Sequence, residues 1–332
     1  MKTFLRVAGI LIVLAILAGV GAGAWLWYGV YRGRSLPTAE THVVVQRGST
    51  FVEIARLLAE KGVISNVTTF RLLAKMRGDE TDVRAGEYRF DPHQTQSEVL
   101  RALLTGGAQV AVWITIPEGY TAKEIAQRLA DAGAGSAPDL ERGFARDGIV
   151  VDGSRTRGLE GFLFPSTYLV PLGASAAQVE SIFTGEFLKE LPADAAARAK
   201  ALGVTVPQAV TVASLVEREA KADVDRPAIA GVIYNRLRIR MPLQVDATIE
   251  YALPEHKAAL SFGDLKIDSP YNTYLHTGLP PTPIANPGRP SLEAAFHPSK
   301  SQDLYYVYCG KGRHVFAKTL SEHQANVARC LP

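Results

Sequence analysis

Cysteine is scarce. Cys309 and Cys330 are the only two in 332 residues. There is no CxxC pair and no Cys/His cluster at zinc spacing, which argues against a structural metal site. Neither sign of charge is in excess. The net charge is +3 and no basic stripe interleaved with aromatics occurs, so nothing favours a nucleic-acid partner. Nor is the chain short of apolar residues: 47% hydrophobic against 21% charged describes a folded protein, and the length allows two or three compact units. The most local absence lies between Val7 and Tyr31, where no residue is charged.

That run is rich in Val, Ile, Leu, Ala and Gly and exceeds the roughly 20 residues a helix needs to cross a bilayer. Lys2 and Arg6 precede it, and Arg32 and Arg34 follow it. Trp25, Trp27, Tyr28 and Tyr31 crowd its far end, where an interfacial aromatic belt belongs. The reading is an uncleaved anchor with residues 1–6 cytoplasmic, a 7–31 transmembrane helix and everything later outside the cytoplasm. The rival is a cleaved signal peptide, because Ala22-Gly-Ala24 resembles a small-residue cleavage site. In an extracytoplasmic compartment Cys309 and Cys330 can pair, or stand as two reduced thiols.

After a short linker with Pro37, a β-rich run from Val43 ends in a turn at Gly48, and a helical pattern follows through Ile54 and Leu58. The unit recurs. Gly48, Glu53, Ile54, Ala55, Leu58, Ala59 and Gly62 are matched at constant offset by Gly119, Glu124, Ile125, Ala126, Leu129, Ala130 and Gly133. Each turn is followed two residues later by a Thr suited to an N-cap, and each helix stops at Gly. Further helices are expected over 68–76 and 97–104, with a strand over 84–90. The long regular βαβ rhythm is missing, which gives an α+β class. The repeated β-turn-α unit resembles LysM-like glycan-binding modules; a spacer holding the later domain off the membrane accounts for it equally. The aromatics of Glu160–Tyr168 suit either a sugar-stacking groove or a core.

From Pro207 to Lys221 a helix is expected. Ala209, Ala213, Val216 and Ala220 make one buried stripe. Glu217 lies on its shoulder, where partial desolvation eases the acid form that a proton donor needs. Spacing alone favours an ion pair with Lys221, and Glu219 fits the opposite shoulder as well. A second helix is expected from about Asp225 to Leu237, with an extended Met241–Asp246 after it. The stretch 268–290 holds Pro270, Pro280, Pro281, Pro283, Pro287 and Pro290, and reads as a long functional loop. Asn272 and Tyr274 in it suit sugar hydroxyl or acetamido groups. A strand at 304–308, a second at 314–316 and a helix from Ser321 to Ala328 close the chain.

Several segments in order resemble the endolytic murein transglycosylases (the MltG or YceG-like family): Ala-Ser-Leu-Val-Glu-Arg-Glu (213–219), Tyr-Asn-Arg-Leu (234–237), Leu-Gln-Val-Asp (243–246), Ser-Pro-Tyr-Asn-Thr-Tyr (269–274), Gly-Leu-Pro-Pro (278–281), Asn-Pro-Gly (286–288), Ala-Ala-Phe-His-Pro (294–298) and Gly-Arg-His-Val-Phe (312–316). Ala85–Phe90 and Glu160–Pro165 fit the same pattern, and Val245 and Ala247 depart from it. The resemblance implies a LysM-like module over 42–108, a second repeat-like unit and connector over 109–200, and a catalytic domain over 201–332. It implies a membrane protein of the bacterial inner membrane that cuts peptidoglycan glycan strands between N-acetylmuramic acid and N-acetylglucosamine, with cell-wall synthases as candidate partners. It selects Glu217, the first acid of Glu-x-Glu, as general acid and then base. The attacking hydroxyl belongs to the substrate, so no cofactor and no metal is implied. Asn235, Gln244, Asp246, Asn272 and Tyr274 are the candidates for substrate positioning. A hydrolase would need a second carboxylate, for which Glu219, Asp246 and Glu250 are candidates. A non-enzymatic cell-wall-binding anchor is the other alternative.

Overall fold

In a computed structural model of the protein, the described residues are 13–14, 16–21, 23–24, 41–46, 48–91, 94–106, 111–172, 174–255, 257 and 259–330. The described part of the apolar run is helical and exposed, and the rest of the 7–31 span lies outside the described residues. No single helix among the described residues is long and apolar enough to cross a membrane. The chain divides into two compact units. One takes residues up to Ala111 with 171–173, and the other takes 112–170 and 174–332.

In the first unit, β1 (Thr41–Val45) pairs antiparallel with β2 (Gly86–Phe90), from Thr41 opposite Phe90 to Val45 opposite Gly86. Between them run α1 (Phe51–Glu60) and α2 (Val67–Arg77), and α3 (Gln96–Thr105) follows. Alternation in the strands turns Val43, Val45, Tyr88 and Phe90 inward, onto Ile54, Leu58, Phe70 and Leu103. The helix ends are fixed locally. Thr50 and Glu53 close a capping box on α1, and Thr95 and Glu98 close one on α3.

The second unit begins at Val112 within β3 (Ala111–Thr115) and continues with α4 (Ala122–Asp131) and α5 (Ala137–Arg146). The short hairpin β4 (Val150–Val151) and β5 (Ser154–Arg155) precedes β6 (Thr167–Pro171), which pairs with β3. The α4 unit repeats α1 closely: Thr121 and Glu124 form the same capping box, and Gly133, like Gly62, takes a φ of 76° just past the helix. The two repeat copies fall in different compact units. Ile114, Ile125, Leu129, Phe144, Tyr168 and Phe183 form one core around the second copy.

Two helices follow with Pro192 between them, α6 (Ala176–Glu190) and α7 (Ala195–Leu202). Next come α8 (Val206–Glu219), α9 (Arg226–Arg238), α10 (Asp246–Ala252), α11 (Arg289–Phe296), the antiparallel pair β7 (Tyr305–Tyr308) and β8 (His314–Ala317), and α12 (Leu320–Cys330). Segments 109–200 and 201–332 share a core, since Phe162, Phe164 and Phe187 pack into one cluster with Val210, Ile229 and Phe296. The Glu160–Tyr168 aromatics therefore serve as core. Phe162 meets Phe187 edge-on at 5.1 Å, and Tyr168 stacks on Phe183 at 4.1 Å.

Two expectations are corrected here. The single buried stripe on α8 is wrong: every residue from Ala209 to Val216 is buried, because α7, α9, α10 and α11 all pack on this helix. Met241–Asp246 is not extended throughout, because Gln244 takes a φ of 52° and Asp246 already starts α10. Asp225 occupies the N-cap position of α9 without capping it; its carboxylate accepts from the His314 N–H at 2.7 Å and the Arg313 guanidinium at 3.1 Å. Cys309 and Cys330 form a disulfide that ties the end of β7 to the end of α12.

Candidate active site

Glu217 projects from the last turn of α8, and its side chain is only 6% exposed. Each of its two oxygens has its own partner. Oε1 accepts from the Arg226 guanidinium (Nη1) at 3.2 Å. Oε2 accepts from the backbone N–H of Gly288 at 2.9 Å. Gly288 is the N-cap of α11, so the carboxylate sits where a helix N-terminus favours negative charge. Arg226, at the start of α9, is itself buried and makes two more bonds. Its Nε donates to Asp223 at 2.9 Å, and Nη1 also donates to the Ser291 hydroxyl. One planar fork thus joins α8, α9, α11 and the 223–225 turn, which a lysine could not do.

The 284–288 segment that supplies Gly288 is pinned by neutral hydrogen bonds. Ser214, fully buried on α8, accepts from the Ile284 N–H at 3.1 Å and donates to the Thr211 carbonyl at 2.7 Å. Asn286 donates through Nδ2 to the Tyr120 carbonyl and to Glu160, both at 2.9 Å, and accepts from the Leu163 N–H at 2.8 Å. Glu160 also accepts from the Ala122 N–H at 3.0 Å and from the Tyr251 hydroxyl at 3.2 Å. Burial pushes its carboxyl up to about 7, against the lowering effect of those donors. Glu118, just before Gly119, lies against Gly288, and its carboxyl occupies the place a Cβ there would take.

The other residues singled out in the sequence are distributed as follows. Glu219 accepts from the Tyr306 hydroxyl at 2.9 Å, and burial raises its carboxyl above the ordinary range. The Tyr274 hydroxyl donates to Asp246, and the Arg218 guanidinium donates to Glu250 at 3.0 Å. Gln244 is exposed, with its backbone N–H given to the Thr273 carbonyl. Asn272 is fully buried and spends its side chain on the loop itself: Nδ2 donates to the Leu265 and Ile267 carbonyls, and Oδ1 accepts from the Tyr274 and Leu275 N–H groups. Asn235 likewise donates to the Ser301 and Asp303 carbonyls, and borders a cavity of about 910 Å³ whose lining does not include Glu217. Among the described residues, no group of three or more His, Cys, Asp or Glu could hold a metal.

Arg226, Glu118, Glu160, Asn286 and Ser214 escaped the sequence reading as site residues. Their signals were present but mute: Glu118 precedes the repeated glycine Gly119, and Asn286 opens the Asn-Pro-Gly segment.

The YceG-like family model matches residues 43–329. The chain belongs to the YceG-like family. A Bacillus subtilis (strain 168) protein named endolytic murein transglycosylase is 35% identical over 304 residues, covering 85% of this chain and 82% of that protein. A Streptococcus pneumoniae (strain D39) protein of the same name is 31% identical, and the match covers 95% of this chain but 64% of that protein. The crystal structure of a YceG-like protein from Listeria monocytogenes matches at 32% identity with a TM-score of 0.58, over 86% of this chain and 98% of the other. Within this YceG-like chain, Glu217 is the acid that the fold surrounds with an arginine and a helix N-terminus.

Proposed function

We propose that this YceG-like chain is a lytic endotransglycosylase of peptidoglycan, with Glu217 as its catalytic carboxyl. The observation that carries the reading is the placement of Glu217: a nearly buried carboxyl, held by Arg226 and the Gly288 N–H, in a chain whose relatives are named endolytic murein transglycosylases. The reaction needs one proton moved twice. The carboxyl gives its proton to the glycosidic oxygen as the bond to the N-acetylmuramic C1 breaks, and positive charge develops on that carbon. The C6 hydroxyl oxygen of the same sugar then bonds to C1, and its proton goes to the carboxylate. The carboxyl is restored, no water is consumed, and the strand ends in 1,6-anhydro-N-acetylmuramic acid.

Gln244, Asp246 and Tyr274 are the proposed substrate-positioning side chains. Asn272 holds the loop backbone that carries Tyr274, and Asn235 holds the backbone at Ser301 and Asp303. Residues 7–31 serve as a single-span anchor in the cytoplasmic membrane, with the remaining chain on the extracytoplasmic side beside cell-wall synthases. The first unit is read as a LysM-like glycan-binding module over 42–108, supported by its two helices set between antiparallel strands. Residues 109–200 are a repeat-like unit and connector, and 201–332 carry the chemistry.

The test is the Glu217→Gln variant on purified cell wall. Release of soluble glycan fragments is expected to fall by at least about 100-fold, the scale of losing a positioned general acid. Release at the parent rate would remove Glu217 from the chemistry. A second reading, hydrolysis by two carboxyls, is favoured by Glu118 lying close by; it gives reducing ends in place of anhydro ends.

A further inference from the structure

The Glu217 carboxyl is held by a cation, Arg226, and by the Gly288 N–H, yet a proton donor must start protonated. Something must oppose them, and the charges facing the pair can be named. From the turn before α9, Asp223 takes the Nε of Arg226. From α11, Arg289 reaches Glu190 at 3.5 Å. From the segment after β3 comes Glu118. Arg226 is therefore one cation among three acids.

The place of Glu118 is fixed by backbone. Gly119 donates its N–H to the Asn286 carbonyl at 2.9 Å, and Asn286 returns its own N–H to the Tyr120 carbonyl at 2.8 Å. The Gly119 backbone passes Glu217 so closely that a Cβ there would lie 3.7 Å from Glu217 Cγ. Glycine at 288 leaves the space that the Glu118 carboxyl fills.

We propose that Glu118 is a positioning carboxyl of this centre, which faces the Glu217–Arg226 pair across Gly288 and by like-charge repulsion keeps a proton on the two-carboxyl system. The proposal rests on the reading of Glu217 as the acid. Two interacting carboxyls titrate as a unit, so the second negative charge resists loss of the last proton. In accord with this, the Glu118 carboxyl is raised above its ordinary range, first by burial and then by the charge of Glu217, with Arg226 opposing. The proton still passes to the glycosidic oxygen and returns from the C6 hydroxyl, so the product is unchanged.

The test compares the full-length parent with E118Q, E118D and G288A in the pH profile of anhydro-end release. Activity falls on the basic side as the pair loses its proton. In E118Q that limb is expected about one pH unit lower, the size of losing one neighbouring charge, and in E118D near the parent. Gly288 has φ −76° and ψ 173°, open to any residue, so G288A pushes the Glu118 carboxyl aside without backbone strain and is expected to move the limb the same way. G288A decides the matter if E118Q does not fold. Carboxyl 13C titration of the glutamate pair reads the same coupling without turnover. A midpoint and a limb in folded E118Q that coincide with the parent's would overturn the proposal. A parent that titrates as described but releases no anhydro ends would overturn the enzymatic reading instead.

Discussion

Removing the guanidinium of Arg226 leaves Glu217 and Asp223 without their shared counter-charge, in a place where Arg226 is 10% exposed and Glu217 6%. Breaking such a buried pair from one side costs about 3–5 kcal/mol, most of it the charge left behind. Arg226→Met is therefore expected to lower the urea midpoint with little change in m. Arg226→Lys is expected to recover only part of the loss, because an ammonium cannot reach Glu217, Asp223 and Ser291 at once. Equal stability of Arg226→Met and parent would show the pair to be solvated. At this scale the sequence was only partly legible. Helical spacing put Glu217 on a half-shielded shoulder but could not separate it from Glu219. The structure gives the two acids different surroundings, an arginine and a helix N-terminus for Glu217 and a tyrosine hydroxyl for Glu219. None of those partners is near in sequence except Arg226, and one of them, Gly288, contributes only a backbone N–H.

Elements were more legible than contacts, because their ends are set by neighbours in the chain. Thr50–Glu53, Thr121–Glu124 and Thr205–Gln208 are capping boxes, and the glycine stops behave as spacing predicts. The proline-rich stretch was legible as irregular, but not as packed. Its interior is held by side-chain amides and hydroxyls, Asn272, Asn286, Thr273 and Ser214, whose partners are carbonyls and N–H groups with no sequence signature. This gives a prediction for α8. Ser214→Ala would strand the Ile284 N–H in the core at a cost of about 1–3 kcal/mol. It would also loosen the segment that carries Gly288, so turnover is expected to fall together with the thermal midpoint. A stability loss with turnover unchanged would separate Ser214 from the site. Reduction of the Cys309–Cys330 bond is expected to loosen α12, at a cost of about 3 kcal/mol for a loop of this length.

Across the second unit, Glu160 joins the start of α4, the 286 loop and α10 through a single carboxyl. Its proton affinity is raised from the ordinary 4.5 to about 7, so between those values the folded protein binds more protons than the unfolded chain. Stability from this group is therefore complete below pH 4.5 and declines as pH rises through about 7, by an amount on the order of 3 kcal/mol. Glu160→Gln is expected to flatten that part of the profile in denaturant unfolding at a series of pH values. An unchanged slope would place the titration elsewhere. The molecule as a whole is organised so that a helix buried on every side over Ala209–Val216 presents Glu217 at its last turn. The most direct measurement of its use is mass analysis of the fragments released from purified glycan strands. Anhydro ends, lighter than reducing ends by one water, are expected from the parent and lost in Glu217→Gln. Reducing ends from the parent, or anhydro ends from the variant at the parent rate, would contradict Glu217 as the carboxyl of a lytic transglycosylase.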